Sequence, residues 1–170
     1  MIKNLNIHTE SSVDEQAIRE LIIKAFDNHP FSNQTEHLIV DELRKQDSLS
    51  ISLVAEIESE IIGHIAFSEI LVNEQHVNWY GLAPVSVHPK YQNRGVGSAL
   101  IKAGLEQLKE LGANGCVLVG EPDYYTRFGF NHQDKLTFEG VPLQYFLALS
   151  FEEEIPEGEV SYHSAFTKHG

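Results

Sequence analysis

Two glycines one residue apart, Gly95 and Gly97, sit where a strand-like run gives way to a long amphipathic stretch. The segment reads Gln92-Asn93-Arg94-Gly95-Val96-Gly97-Ser98. A helix that begins here leaves its first backbone N–H groups unpaired. Those groups carry the positive end of the helix dipole. Glycines at 95 and 97 remove the Cβ atoms that would hold a ligand at a distance. Backbone donors from Arg94 to Ser98 therefore suit a pyrophosphate. Arg94 adds charge, and the Ser98 hydroxyl adds a donor. Other phosphate motifs fit badly. No Gly-Lys-Ser/Thr ending is present, which removes a Walker-type loop. A third glycine and a strand-linked acid in register are also missing, which removes a Rossmann fingerprint. On these residues alone, a plain helix start with two flexible glycines stands beside the phosphate site as an equal reading.

The remaining reactive side chains are sparse. Cys116 is the one cysteine, so no internal disulfide forms and a reducing compartment fits. It lies in Gly115-Cys-Val-Leu-Val119, a run that reads as a buried strand, where a lone cysteine is a small core residue. The net charge is −13, from 25 acidic and 12 basic residues. Such a field repels a phosphate backbone, which argues against nucleic acid, and attracts a cationic substrate. The excess sits at Asp41, Glu42, Glu56, Glu58, Glu60 and Glu152-Glu153-Glu154, whereas Lys90, Arg94 and Lys102 surround the glycine segment. No run approaches the ~18 apolar residues of a membrane span. The first ten residues lack the apolar stretch of a signal peptide. The expectation is a cytoplasmic protein with no membrane partner.

The elements that must position these residues follow from periodicity. Residues 2–8 alternate weakly and suggest a first strand. Asp14 is placed to cap a helix over 15–26, with Ile18, Leu21, Ile22 and Ala25 at helical spacing. A second helix is expected over 34–46. Residues 51–57 and 61–72 read as a hairpin about Glu58-Ser59-Glu60. Residues 80–87 form the next strand, and Pro84 inside it implies an interruption, a bulge or an edge. Val96, Leu100, Ile101, Leu105, Leu108 and Leu111 make the apolar stripe of a helix over 95–111, and Gly112 stops it. A strand over 115–119, a helical turn over 122–127, a strand after Phe130 and a late strand over 143–150 complete the order. The fold class is α/β or α+β: a mixed sheet with helices on its faces. Residues 1–150 are expected as a single domain. Residues 151–170 are expected as a loop and tail packing on it.

Gln92-x-x-Gly95-x-Gly97, after Val85-Ser86-Val87 and before an amphipathic helix, resembles the acetyl-CoA signature of the GNAT superfamily of N-acetyltransferases. His88-Pro89-Lys90-Tyr91 matches the usual approach to it. Tyr125-Thr-Arg-Phe-Gly-Phe130 resembles the family's Tyr-x-x-x-Gly-Phe ending at the right separation. Where the family often carries an Asn before that tyrosine, this chain has Glu121-Pro122-Asp123. Val119–Phe130 and the terminal Val160-Ser-Tyr-His-Ser-Ala-Phe166 look most like the YhbS-like branch. The resemblance covers about residues 5–150. It implies a splayed sheet with acetyl-CoA in the V-shaped gap, no metal, and pantetheine bonded to the backbone of Val85 and Val87. Gln92, Asn93, Arg94, Gly95, Val96, Gly97 and Ser98 would cradle the diphosphate, with Ser86 on the same strand. Homodimers are frequent in the family.

The implied reaction is direct acetyl transfer to a small or protein-borne primary amine, with no acyl-enzyme on Cys116. A backbone N–H on the 85–87 strand would polarise the thioester. Tyr125 holds the register of the family's general acid, and a phenol keeps its proton at neutral pH; Tyr124 is the alternate. Glu69 is the first candidate base, with Glu121, His64 and a water held by a backbone carbonyl as alternatives. A non-catalytic coenzyme-binding sensor and a transferase for longer acyl chains are the rival functions.

Overall fold

The computed structural model describes residues 2–30 and 32–169. Residues 1 and 170, which end the two expected spans, lie outside them. Its elements are β1 (Asn6–Thr9), α1 (Glu15–Phe26), α2 (Glu36–Lys45), β2 (Ile51–Ile57), β3 (Glu60–Val72), β4 (Gln75–Val87), α3 (Val96–Glu110), β5 (Gly115–Val119), α4 (Pro122–Tyr125), β6 (Leu136–Thr137), β7 (Phe146–Ser150), β8 (Gly158–Ser161) and α5 (Ser164–His169).

Two tight turns lay down the centre of the sheet. Glu58 and Ser59 join β2 to β3 with φ of 47° and 69°. Asn73 and Glu74 join β3 to β4 with φ of 49° and 63°. Left-handed conformations at both central residues give the turn whose twist matches the flanking strands. The sheet then runs β1-β2-β3-β4-β5-β7. All its neighbours are antiparallel except β4 and β5, which are parallel. β8 adds antiparallel to the far end of β3 and pairs with β6.

Side-chain alternation along the strands buries both faces. Leu53 faces one way and packs with Leu100, Ile101 and Leu105 of α3. Val54 faces the other way and packs with Ile18 and Ile22 of α1 and Val40 of α2. Each such side chain, fully buried, contributes about 1.5–3 kcal/mol of transfer free energy.

Several expectations shift on the structure. Asp14 does not cap α1 with its side chain. Its carboxylate instead accepts from the Ser11 N–H at 2.9 Å and the Ser11 Oγ at 3.1 Å, closing a short 3-10 turn before the helix. The strand expected over 80–87 begins at Gln75, because the Asn73-Glu74 turn restarts the ladder at once. The late strand begins at Phe146, since Pro142 opens a 3-10 turn over Leu143–Tyr145. After Phe130 the chain makes only a single bridge, Asn131 to Ala148, before the two-residue β6. The tail becomes β8 and α5, with the Lys168 ammonium 3.2 Å from the Glu42 carboxylate on α2.

Candidate active site

β4 and β5 are paired only from Trp79–Gly115 to Gly81–Val117. Beyond Gly81 they separate. In β4, Ala83 and Pro84 together face Ala66 of β3, since Ile65 pairs with Val85 and Phe67 with Leu82. One extra residue in β4 is a bulge, which bends and twists the strand. The Ala83–Pro84 peptide is cis.

The free edge of β4 is polar backbone. The His88 N–H donates to the Ile62 carbonyl at 2.8 Å, which fixes the phase of the ladder with β3. Residues alternate in direction along an antiparallel strand. Ser86 therefore points its backbone groups at β3, and Val85 and Val87 point theirs into the gap. The Val87 carbonyl accepts from Gln92 Nε2 at 3.1 Å, which ties the following loop to the strand.

That loop ends at Gly95, whose φ of 87° and ψ of 5° suit a residue without Cβ. α3 starts immediately after it with no side-chain cap. The first intrahelical bond to Gly95 is made by Ala99, whose N–H donates to the Gly95 carbonyl at 3.0 Å. The Val96, Gly97 and Ser98 N–H groups thus head into the gap at the positive end of a fifteen-residue helix.

A cleft of about 710 Å³ follows this path. Val85, Ser86 and Val87 form one wall, and Gln92, Asn93, Gly95, Val96, Gly97 and Ser98 form its mouth. Tyr124, Tyr125 and Arg127 form the opposite wall. The volume lies in the range of small-molecule sites. A second hollow of about 760 Å³ lies between Val77, Asn114 and the run Glu152-Glu153-Glu154, and holds none of the expected site residues.

The two tyrosines divide the cleft between them. Their rings meet edge to face at 4.9 Å and 86°. The Tyr124 hydroxyl reaches the helix mouth, 3.7 Å from where a Cβ on Gly97 would stand. Arg127 stacks on the Tyr124 ring at 4.5 Å. Tyr125 turns the other way, toward β5. Its ring lies on Gly120, where an added Cβ would be 2.4 Å from Cε2, and meets Phe130 at 6.3 Å. Burial, with a smaller contribution from Tyr124, pushes the Tyr125 phenol up to about 12. It therefore stays protonated at neutral pH.

The other candidates stand elsewhere. Arg94 is exposed at the rim, 6.0 Å from the Tyr91 ring, and does not line the cleft. Glu69 does not line it either. Its carboxylate is 3.1 Å from His76 Nδ1, and it pairs across from Tyr80, where β4 still holds β5. Glu121 is exposed, and its carbonyl accepts from the Tyr124 and Tyr125 N–H groups at 3.1 and 3.0 Å. His64 is fully buried with Nε2 2.8 Å from Ser52 Oγ. Burial lowers its pKa to about 4, so it is neutral at pH 7. Cys116 is buried, and burial drives its thiol pKa upward, away from thiolate chemistry. Among the described residues no cluster of three His, Cys, Asp or Glu side chains is arranged to hold a metal. Likewise no described helix is long and apolar enough to cross a membrane.

Sequence reasoning missed the closing wall. Ala25 and Phe26 at the end of α1, with His29 just after it, also line the cleft. His29-Pro30 carried a signal only for a helix stop. Gly120 also passed unnoticed, although a glycine at a strand end marks a close approach.

Comparison with known proteins shows the family. A sequence model described as the acetyltransferase (GNAT) family matches residues 15–130. The uncharacterized N-acetyltransferase YhbS of Escherichia coli K12 is 30% identical over 169 residues, spanning 95% of this chain and 98% of that protein. A crystal structure of a GNAT family acetyltransferase from Brucella melitensis in complex with acetyl-CoA is 43% identical. It superposes with a TM-score of 0.87 over 97% of this chain and 99% of that one. The E. coli YhbS structure in complex with CoA gives 30% identity and a TM-score of 0.88, covering 98% and 93%.

Proposed function

Since this chain belongs to the GNAT acetyltransferase family, we propose that it binds acetyl-CoA in the gap between β4 and β5 and acetylates a primary amine directly. The observation that carries the reading is that two sets of outward-facing backbone N–H groups, those of Val85 and Val87 on the free edge of β4 and those of Val96, Gly97 and Ser98 at the mouth of α3, open onto one cleft. A pyrophosphate meets the N–H groups of Val96, Gly97 and Ser98. The pantetheine arm takes up the backbone groups of Val85 and Val87. The thioester then lies near Gly81, where the gap closes. The acetyl-CoA complex of the Brucella protein, similar over nearly the whole chain, supports acetyl-CoA as the ligand.

The chemistry follows from the groups at hand. A lysine-like ammonium must first lose a proton, which costs about 4.6 kcal/mol at pH 7. Water in the open cleft takes it, because Glu69 is engaged with His76 outside the cleft wall. The amine lone pair attacks the thioester carbon, and the C–S bond breaks as the oxyanion collapses. The leaving thiolate takes the proton of Tyr125, which regains one from water. The nitrogen releases its second proton to water, so the balance is ammonium plus acetyl-CoA to amide, free thiol and one proton. Two bound reactants held in place supply much of the rate, and Cys116 takes no part.

The test is calorimetry with acetyl-CoA, followed by thiol release across a panel of primary amines. In the variant Tyr125→Phe, turnover should fall ~10²–10⁴-fold with unchanged coenzyme affinity. Coenzyme binding with no thiol release from the parent protein on any amine would favour the sensor reading, and equal turnover in Tyr125→Phe would remove Tyr125 as the acid.

A further inference from the structure

Among the described residues, four buried side-chain polar atoms have no partner: His64 Nδ1, Ser68 Oγ, Ser86 Oγ and Tyr162 Oη. They share one face of the sheet. Gly63 lies against Val96 and Leu100 of α3, so His64 and Ser68 point to the opposite face. Ser86 pairs with His64, and Gly81 pairs with Ser68. Tyr162 lies on Gly81 from the same side. An added Cβ at Gly81 would be 2.9 Å from Tyr162 Cε2 and 3.1 Å from Cζ. The Tyr162 hydroxyl, one bond past Cζ, therefore sits at the last β4 residue still paired with β5. Ser68 brings a second unpaired hydroxyl to the same pair.

The ring is fixed there by its surroundings. Phe138 stacks on it at 4.9 Å and 14°, and Phe166 meets its edge at 5.1 Å. β8 anchors the chain just before it, through Ser161 opposite Leu71. Burial, with a smaller contribution from Cys116, raises the phenol pKa, so the hydroxyl is a permanent donor. An enclosed hydroxyl without a partner is a net cost to folding. A phenylalanine would satisfy every packing contact. Packing alone does not account for the oxygen.

We infer that the Tyr162 hydroxyl donates a hydrogen bond to the carbonyl oxygen of the thioester where β4 and β5 part. This rests on the acetyl-CoA reading above and adds a catalytic residue that lies outside the glycine and Tyr125 motifs. When the amine attacks, the carbonyl π pair moves onto oxygen, and the Tyr162 O–H holds the developing charge. Tyr162 gives up no proton; the thiolate is protonated by Tyr125. The C-terminal segment, from β8 to α5, thus completes the reacting centre rather than only covering the sheet.

The test uses Tyr162→Phe and two probes that need no acceptor. One is the ketone analogue of acetyl-CoA, in which a methylene replaces the thioester sulfur; the other is desulfo-CoA. Calorimetry should show that Tyr162→Phe loses about three- to tenfold of the preference for the ketone analogue, the worth of one hydrogen bond. Desulfo-CoA affinity should be unchanged, and the melting temperature unchanged or higher. Equal preference in variant and parent would overturn the proposal while leaving the coenzyme site intact. If neither probe binds the parent protein, the acetyl-CoA reading fails and this inference falls with it.

Discussion

Gly120 offers the sharpest separation between coenzyme binding and proton transfer. It follows the last residue of β5 and precedes α4, and it is not among the residues that line the cleft. In Gly120→Ala the new Cβ would stand 2.4 Å from Tyr125 Cε2 and 2.8 Å from Cδ2, whereas ordinary contact begins at 3.4 Å. The difference, 3.4 − 2.4, requires the ring to move by 1.0 Å. Phe130, fully buried, stands at 6.3 Å and limits where the ring can go. A displacement of ~1 Å at a reacting group costs on the order of 10²-fold in rate. Overpacking of this kind costs about 1–3 kcal/mol in stability. The helix mouth and the free edge of β4 are untouched, so the dissociation constant for acetyl-CoA should stay within about twofold. The assay pairs calorimetry with thiol release, using the amine that turns over fastest with the parent protein. A Gly120→Ala protein that folds and retains full turnover would refute the placement of Tyr125 as the acid. A parallel loss of coenzyme affinity would refute the claim that the two functions are spatially separate.

Other outcomes follow from single groups. Gly95→Ala meets no neighbour within 4 Å, but it must hold φ of 87°; the expected loss is about 1–2 kcal/mol of stability, read by denaturant unfolding. His64 has a folded pKa lowered by burial to about 4 from 6.5. The unfolded chain therefore binds more protons between these values, and stability falls as pH drops from 6.5 toward 4. The shift of 2.5 is worth about 3 kcal/mol at 1.36 kcal/mol per unit. In His64→Gln this part of the pH dependence should vanish; unfolding curves that stay parallel to the parent across that window would contradict the assignment.

Much of the fold was legible because local and tertiary preferences agreed. The run 51–57 is a strand in sequence and in structure, and α3 keeps its stripe from Val96 to Leu108. Helix–strand order and the glycine turn identified the mouth of the cleft. The start of β4 was illegible because Gln75, His76 and Asn78 are polar and Asn78 takes a φ of 61° within a bulge. Its strand character comes from pairing with β3, which no local pattern reports. The side of each tyrosine was illegible for a similar reason. Tyr124 and Tyr125 are adjacent and identical in type, and only Gly97 and Gly120, on different elements, decide which ring goes where. Tyr162 was illegible as a site residue because its neighbours in space, Gly81 and Phe138, are far from it in sequence.

The irregularities of β4 serve one end. A regular β4 would continue its parallel ladder with β5 past Gly81 and consume the backbone groups of Val85 and Val87. The bulge at Ala83 and Pro84 redirects the strand, and Pro84 itself has no N–H to offer a neighbour. The outer half of β4 thus keeps its antiparallel bonds to β3, which hold it rigid, while its other edge stays open for an extended ligand. A strand fixed on one side and unpaired on the other is a template for pairing. In this protein the edge opens onto a cleft bounded by α3, α4 and the end of α1, which favours a narrow flexible arm over a second strand. In the proposed reading the bulge sets where such an arm stops, beside Gly81, where the Tyr162 ring lies against one face of the sheet.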